Sequence, residues 1–439
     1  MLSVKSATLM DMVTFLYANG GHRKVAAFCY TFYIMKFPSD FYWGAATASY
    51  QVEGGIDNCD WAKAARDGRV PECGRACDHY NRYEQDFDLA KQLGHNAHRF
   101  SIEWARIEPQ EGQFNERQIN HYRAVIKALK NRGIKPYVTI WHFTLPQWFA
   151  DMGGFENPKA PEYFARYAGV IARELGEELE GLTTINEPLV FAGLGYLKGN
   201  WPPFKQFALV NEKRELTNSG DRELARPERN WRASFVYRKV VTNLVNAHKA
   251  AYQSIKQAQP HLDVSLVKHV VAYDANWNPL NQLRAWAQDQ FFNHTFLRRV
   301  YRHCDSFGLN FYHYVKYGDR PDFEKSDMGW EMAPHGIYHA LKVLWKYKKP
   351  IFVSECGVAD HDDSHRGWYI REQIEGVERA LEEGIDVRGH MYWSLMDNYE
   401  WALGFEKKFG LIEIDYKTLQ RKPRSSAWVY KELIEHYSE

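Results

Sequence analysis

Two glutamates, Glu187 and Glu355, each follow an apolar, β-branched run and stand where a buried strand would end. The runs are Leu182-Thr183-Thr184-Ile185-Asn186 and Ile351-Phe352-Val353-Ser354. Runs of this kind read as strands of a parallel sheet covered on both faces. Two carboxyl groups at one end of such a sheet suit the cleavage of a glycosidic bond. One protonates the leaving oxygen, and the other attacks the sugar or activates water. Either glutamate alone is equally well an ordinary surface acid, so the surroundings must decide.

Short apolar strands alternate with longer amphipathic segments from Phe41 onward, which predicts an α/β fold with parallel strands. Eight strands are expected, over 42–47, 97–102, 135–140, 182–186, 264–269, 306–311, 351–355 and 389–394. Helices are expected between them, for example over 116–131, stopped by Gly133, and over 161–175. This pattern predicts a single (β/α)8 (TIM) barrel with extended βα loops over 35–439, active at the C-terminal ends of its strands. An open doubly wound sheet would want a glycine-rich phosphate turn after its first strand, and Gly54-Gly55 is too sparse for one. The polar stretch 205–230 reads as a long loop overhanging the mouth. Residues 1–34 read as an N-terminal extension outside the fold.

Composition narrows the partners. A net charge of +1 implies no polyanionic partner, so nucleic acid is not expected. No run of about 18 apolar residues is present, so no membrane partner is expected. The six cysteines are scattered and lack paired CxxC spacing. Cys59, Cys73 and Cys77 share one loop and could hold a metal or a disulfide, but free thiols in a reducing cytoplasm fit better. No cofactor and no metal are expected. A homo-oligomer is compatible with the sequence and not demanded by it.

The strand ends deliver a characteristic set of side chains: Gln51, Arg99, His142, Asn186, Glu187, Asn310, Tyr312, Glu355, Trp393, Glu400 and Trp401. Amides and an imidazole grip hydroxyls, indoles stack on sugar C–H faces, and the acids do chemistry. That set suits a neutral polyol better than a metal, which needs a tighter His/Asp/Glu arrangement.

The same residues carry a resemblance to glycoside hydrolase family 1, the β-glucosidase family, from about Phe37 to the C-terminus. Its marks are Phe41-Tyr42-Trp43-Gly44-Ala45-Ala46-Thr47-Ala48-Ser49-Tyr50-Gln51-Val52-Glu53-Gly54, Thr184-Ile185-Asn186-Glu187-Pro188, the Glu355 segment, and Trp393 through Trp401 followed by Lys408-Phe409-Gly410-Leu411. The resemblance implies a retaining β-glycosidase acting on terminal β-D-glucosyl, and also galactosyl or fucosyl, residues. It makes Glu355 the nucleophile and Glu187 the general acid/base, with Arg99 and Tyr312 holding the Glu355 carboxylate and Asn310 supporting Glu187. It assigns the sugar hydroxyls to Asn186, Gln51, His142, Trp401 and Glu400, the ring face to Trp393, and the far wall to Phe409.

Two positions depart from the family pattern. Cys356 follows the nucleophile where Asn is usual, and Phe143 follows His142 where Trp is usual. A 6-phospho-β-glycosidase would want a small neutral residue in place of Glu400, because a carboxylate repels a phosphate. It would also want a tyrosine at the position of Phe409. Plant thioglucosidases carry Gln in place of the acid/base, which Glu187 excludes. A non-catalytic sugar-binding barrel would be expected to lack one of the two glutamates.

Overall fold

The computed structural model describes residues 37–205, 231–319 and 322–438. The expected extension 1–34, and residues 206–230 of the expected loop, lie outside the described residues.

Eight parallel strands close into a barrel in chain order. They are β1 (Tyr42–Ala46), β2 (Ala97–Ser101), β3 (Lys135–Thr139), β4 (Gly181–Asn186), β5 (Asp263–Ala275), β6 (Ser306–Tyr317), β7 (Ile351–Cys356) and β8 (Val387–Trp393). Most of their Val, Ile, Leu and Phe side chains are buried, as a barrel enclosed by helices requires. The expected barrel is therefore the observed one.

The helices form for local reasons. Glu116–Asn131 buries Ile119, Tyr122, Ile126 and Leu129, a three-to-four spacing that lines one face. The Asn115 side chain accepts from the Gln118 amide and caps its start. Gly133, at φ +68°, turns the chain out just past its end.

Two strands run longer than the sequence reading expected. β5 and β6 stay paired to Ala275 and Tyr317, well past the other strands. Val270-Val271-Ala272-Tyr273 and Tyr312-His313-Tyr314-Val315 are rich in β-branched and aromatic residues, which favours this two-stranded ribbon. A short antiparallel pair, β9 (Ile412–Ile414) with β10 (Arg421–Pro423), was also not foreseen. Its strands are only three residues long, too short to show a period.

Register irregularities fall between Thr183 and Asn186, Val270 and Val271, Leu309 and Asn310, Ile351 and Phe352, and Val353 and Cys356. Bulges of this kind re-aim side chains, and here some fall beside both glutamates. Just after β7 the backbone approaches β8 closely. A Cβ on Gly357 would lie 2.0 Å from the Trp393 carbonyl oxygen, so only glycine fits. Gly357→Ala is expected to destabilise the barrel by about 3 kcal/mol through overpacking. Thermal or denaturant unfolding measures this; a neutral substitution would contradict the contact.

Candidate active site

The register sets the two acids' neighbours before any side chain is considered. Asn310 pairs with Glu355 across β6 and β7, and with His269 across β5 and β6. Glu187 follows β4 as the first residue of the turn into helix Pro188–Gly193. It holds a left-handed backbone, φ +44°, unusual for a residue with a side chain. Phe143 and Trp401 share this conformation at φ +75° and +50°. Such conformations persist only where surrounding structure enforces them, and they gather at functional sites.

A continuous network joins the acids. Arg99 Nη1 donates to Glu355 Oε1 at 2.5 Å and Arg99 Nη2 to Asn186 Oδ1 at 2.7 Å. Asn310 Nδ2 donates to Glu187 Oε1 at 2.7 Å and reaches Asn186 Oδ1 at 3.3 Å. The Tyr312 hydroxyl donates to Glu355 Oε2 at 3.0 Å. Arg99 is itself fixed by Thr139 Oγ1 at 3.0 Å, and Asn310 by the Ser354 hydroxyl at 2.8 Å. Arg99, Asn186, Glu187, Asn310 and Glu355 are all buried.

The two carboxyl groups sit in unlike surroundings. Glu355 has a guanidinium and a phenol hydroxyl. Glu187 has a neutral amide, and its pKa is raised, first by burial and next by the Glu355 charge. The Asn310 hydrogen bond, Lys268 and Arg99 oppose that rise without reversing it. One acid is thus kept protonated beside a paired carboxylate.

The residues expected to bind sugar hydroxyls surround this pair. Gln51 Nε2 donates to Asn398 Oδ1 at 2.9 Å and to the Tyr399 carbonyl at 2.7 Å. Its Oε1 is buried without a partner. Burial, then the Arg99 charge, lowers the His142 pKa far enough to keep the ring neutral. Its Nε2 lies 3.3 Å from Asn186 Nδ2, while its Nδ1 is buried and unpartnered. One open acceptor and one open ring nitrogen are what a sugar hydroxyl can satisfy. The His142 ring stacks with Trp393 at 5.8 Å and Trp401 at 6.0 Å between centroids. Phe409 clusters with Trp393 and Ala46, beside Tyr312 and Trp330. The half-buried Glu400 carboxyl is also pushed upward, by burial and then by the Glu355 charge, which places it within electrostatic reach of the nucleophile candidate. All twelve expected site residues meet at one mouth.

Buried polar groups behind the mouth hold it in shape. Arg424 grips Asp397 through two bonds of 3.0 and 2.9 Å, fixing the loop that carries Glu400 and Trp401. Glu103 accepts from Ser49 Oγ at 3.0 Å and Thr144 Oγ1 at 2.9 Å, tying together the loops that carry Gln51 and His142. Both departures from the family pattern are accommodated. Phe143 packs against Trp201 and Trp401, so the aromatic wall is kept. Cys356 turns away from the mouth to His390 Nε2 at 3.0 Å, and His390 Nδ1 meets the Tyr430 hydroxyl at 2.8 Å. Burial raises the Cys356 pKa and lowers that of His390 to about 3, so this is a neutral, structural contact. The five described cysteines are free and buried.

Some residues of the site went unremarked in the sequence. His269 Nδ1 lies 3.6 Å from Glu187 Oε1, and its ring stacks on Tyr312 at 6.1 Å. Trp330 packs against Tyr312 and His313 from a loop after β6. The sequence reading ended the fifth strand at His269, and that place at a strand end could have flagged it. Trp330 had no sequence signal, since its loop carries no period.

The comparisons with known proteins agree with this geometry. The profile of the family described as Glycosyl hydrolase family 1 matches residues 33–305 and 306–438. The chain belongs to that family. Among curated relatives, "Beta-glucosidase A" of Thermotoga maritima is 31% identical, covering 92% of this chain and 98% of that one. The "Bifunctional beta-D-glucosidase/beta-D-fucosidase" of Bifidobacterium breve is 30% identical, over 92% and 99%. Among solved structures, a "beta-glycosidase from Pyrococcus horikoshii" superposes with a TM-score of 0.79 at 35% identity, covering 92% of this chain and 95% of that one. This family 1 chain is therefore a β-glycosidase, an O-glycosyl hydrolase built on the barrel. No helix among its described residues is long and apolar enough to cross a membrane.

The upward shift of Glu187 has a sign that can be checked. Its folded pKa is raised, so the proton is held at neutral pH and lost as pH rises through that value. Glu355→Gln removes the second cause, and the Glu187 pKa should then fall. Carboxyl-labelled NMR titration measures it; an unchanged or higher value would show that the two acids do not interact.

Proposed function

We propose that this family 1 hydrolase cleaves terminal β-D-glucosides by double displacement, with Glu355 as nucleophile and Glu187 as acid/base. The observation that carries the assignment is the asymmetry of the pair. The Glu355 carboxylate takes Arg99 and Tyr312, whereas Glu187 takes only the Asn310 amide from the network and is shifted toward its protonated form. In the first step Glu355 attacks the anomeric carbon while Glu187 gives its proton to the leaving oxygen. Esterification removes the Glu355 charge, and with it one cause of the raised Glu187 pKa. Glu187 then takes a proton from the incoming water, which releases the sugar with its configuration retained.

Glucose as the favoured sugar is supported by the printed names of the relatives, with galactose and fucose as further candidates. Gln51 Oε1, His142 Nδ1 and Glu400 offer the hydroxyl-binding groups for this, and the carboxyl of Glu400 disfavours a 6-phosphate. We also infer a reducing, cytoplasmic setting, supported by five free thiols.

The roles separate experimentally. Glu355→Ala is expected to lose hydrolysis of an aryl β-glucoside by several orders of magnitude. Glu187→Ala should keep the first step with a good leaving group, and azide should rescue it by forming a β-glycosyl azide. An α-azide from Glu187→Ala would contradict the assignment.

A further inference from the structure

One helix carries apolar side chains that the fold does not use. Trp277 is 93% exposed, and Leu280, Leu283, Trp286 and Phe291 are each more than half exposed. The other exposed large apolar residues among the described ones, Met152, Phe235, Trp368 and Trp428, stand far apart from this segment in the sequence. Helix Pro279–Gln288 buries only Ala285. Leu280, Leu283 and Ala287 follow helical spacing on the outward side, so the apolar stripe faces solvent where a core-forming helix would face inward. A contiguous exposed patch of this kind marks a contact surface.

Its place relative to the mouth is set by hydrogen bonds. The helix starts at the tip of the β5–β6 ribbon, where the Asn276 amide donates to the Tyr317 carbonyl at 3.0 Å and Asn281 Nδ2 to Asn276 Oδ1 at 3.0 Å. The chain then returns along the ribbon to Asn293, whose side chain bonds the Val271 amide at 3.3 Å and the Val271 carbonyl at 2.9 Å. Phe292 there packs against His269, beside Glu187. The patch thus flanks the end of the barrel at which the chemistry stands.

Charge distinguishes the occupants. Residues 276–303 carry Arg284, Arg298, Arg299 and Arg302, all exposed, against one acid, Asp289. Asp289 is buried and paired with Lys346 at 3.0 Å and His294 at 3.1 Å. On the ribbon, Asp274 takes the Tyr314 hydroxyl with Lys316 at 4.0 Å, and Asp319 takes the Asn276 side-chain amide. A two-fold contact with a second copy would bring these arginines toward arginines. An anionic lipid surface would instead receive Leu280, Leu283 and Phe291 in its outer acyl region, the indoles at headgroup level, and the guanidiniums on phosphates.

We propose that helix Pro279–Gln288, with Trp277 and Phe291, lies on an anionic lipid surface and holds the barrel mouth beside it. The contact is peripheral and needs no spanning segment.

Co-sedimentation of the full chain tests this, with vesicles of phosphatidylcholine alone and of phosphatidylcholine mixed with phosphatidylglycerol. The wild type should bind the mixed vesicles at low ionic strength and leave them as salt rises. Leu280→Ser/Leu283→Ser/Trp286→Ser should lose binding roughly tenfold or more, and Arg284→Glu/Arg298→Glu should weaken it on mixed vesicles. Both variants should hydrolyse a soluble aryl β-glucoside as the wild type does. A wild type that stays in the supernatant would overturn the proposal, as would an Arg284→Glu/Arg298→Glu variant that binds unchanged. A dimer in light scattering that the serine variant dissolves would assign the face to a second copy instead.

Discussion

The site depends on one buried guanidinium. Arg99 holds Glu355 with one nitrogen and Asn186 with another, and its Nε is fixed by Thr139. Burying a charge without a partner is prohibitive, so Arg99 and Glu355 are each tolerable in the barrel mouth only because of the other. Removing one member of such a pair typically costs about 3–5 kcal/mol, because the remaining charge is left uncompensated. The pair is thus a fold constraint and a functional one together. It fixes a carboxylate at the end of β7, and burial together with that neighbouring charge raises the pKa of Glu187 across the mouth. The proposed acid and nucleophile are set apart by environment, since both are glutamates.

The rest of the mouth follows from holding this pair in a neutral, sugar-binding cup. Bulges at the ends of β4, β6 and β7 aim Glu187, Asn310 and Glu355 at one another. The Asp397–Arg424 pair and the buried Glu103 lock the loops that bring Gln51, His142, Glu400 and Trp401 around the acids. Rigid support matters because a displacement of about 1 Å at a reacting group can cost a hundredfold in rate. The left-handed backbone at Glu187, Phe143 and Trp401 is the local cost of that arrangement.

Much of this was legible in the residues. Continuous apolar runs betray barrel strands because both faces are covered, and glutamates closing two such runs stand out against them. The barrel follows, with eleven of the mouth residues at its strand ends, whereas Phe409 was placed only by the family resemblance. What was not legible depended on contacts between distant segments. The long β5–β6 ribbon required two stretches to pair beyond the barrel, whereas the sequence reading ended those strands at His269 and Phe311. His269 gains its meaning only from the register that sets it beside Asn310 and Glu187. Cys356 looked anomalous in sequence. Its partners His390 and Tyr430 come from β8 and the C-terminal helix, which no local pattern connects to it.

The account turns on Glu355 forming the bond to the sugar. Incubation with an activated 2-deoxy-2-fluoro-β-glucoside, followed by mass analysis of the proteolysed enzyme, tests that directly. One fluoroglucosyl group on the peptide containing Glu355, with Glu187 unmodified, is the result predicted. A label on Glu187, or no label together with a product of inverted configuration, would contradict it.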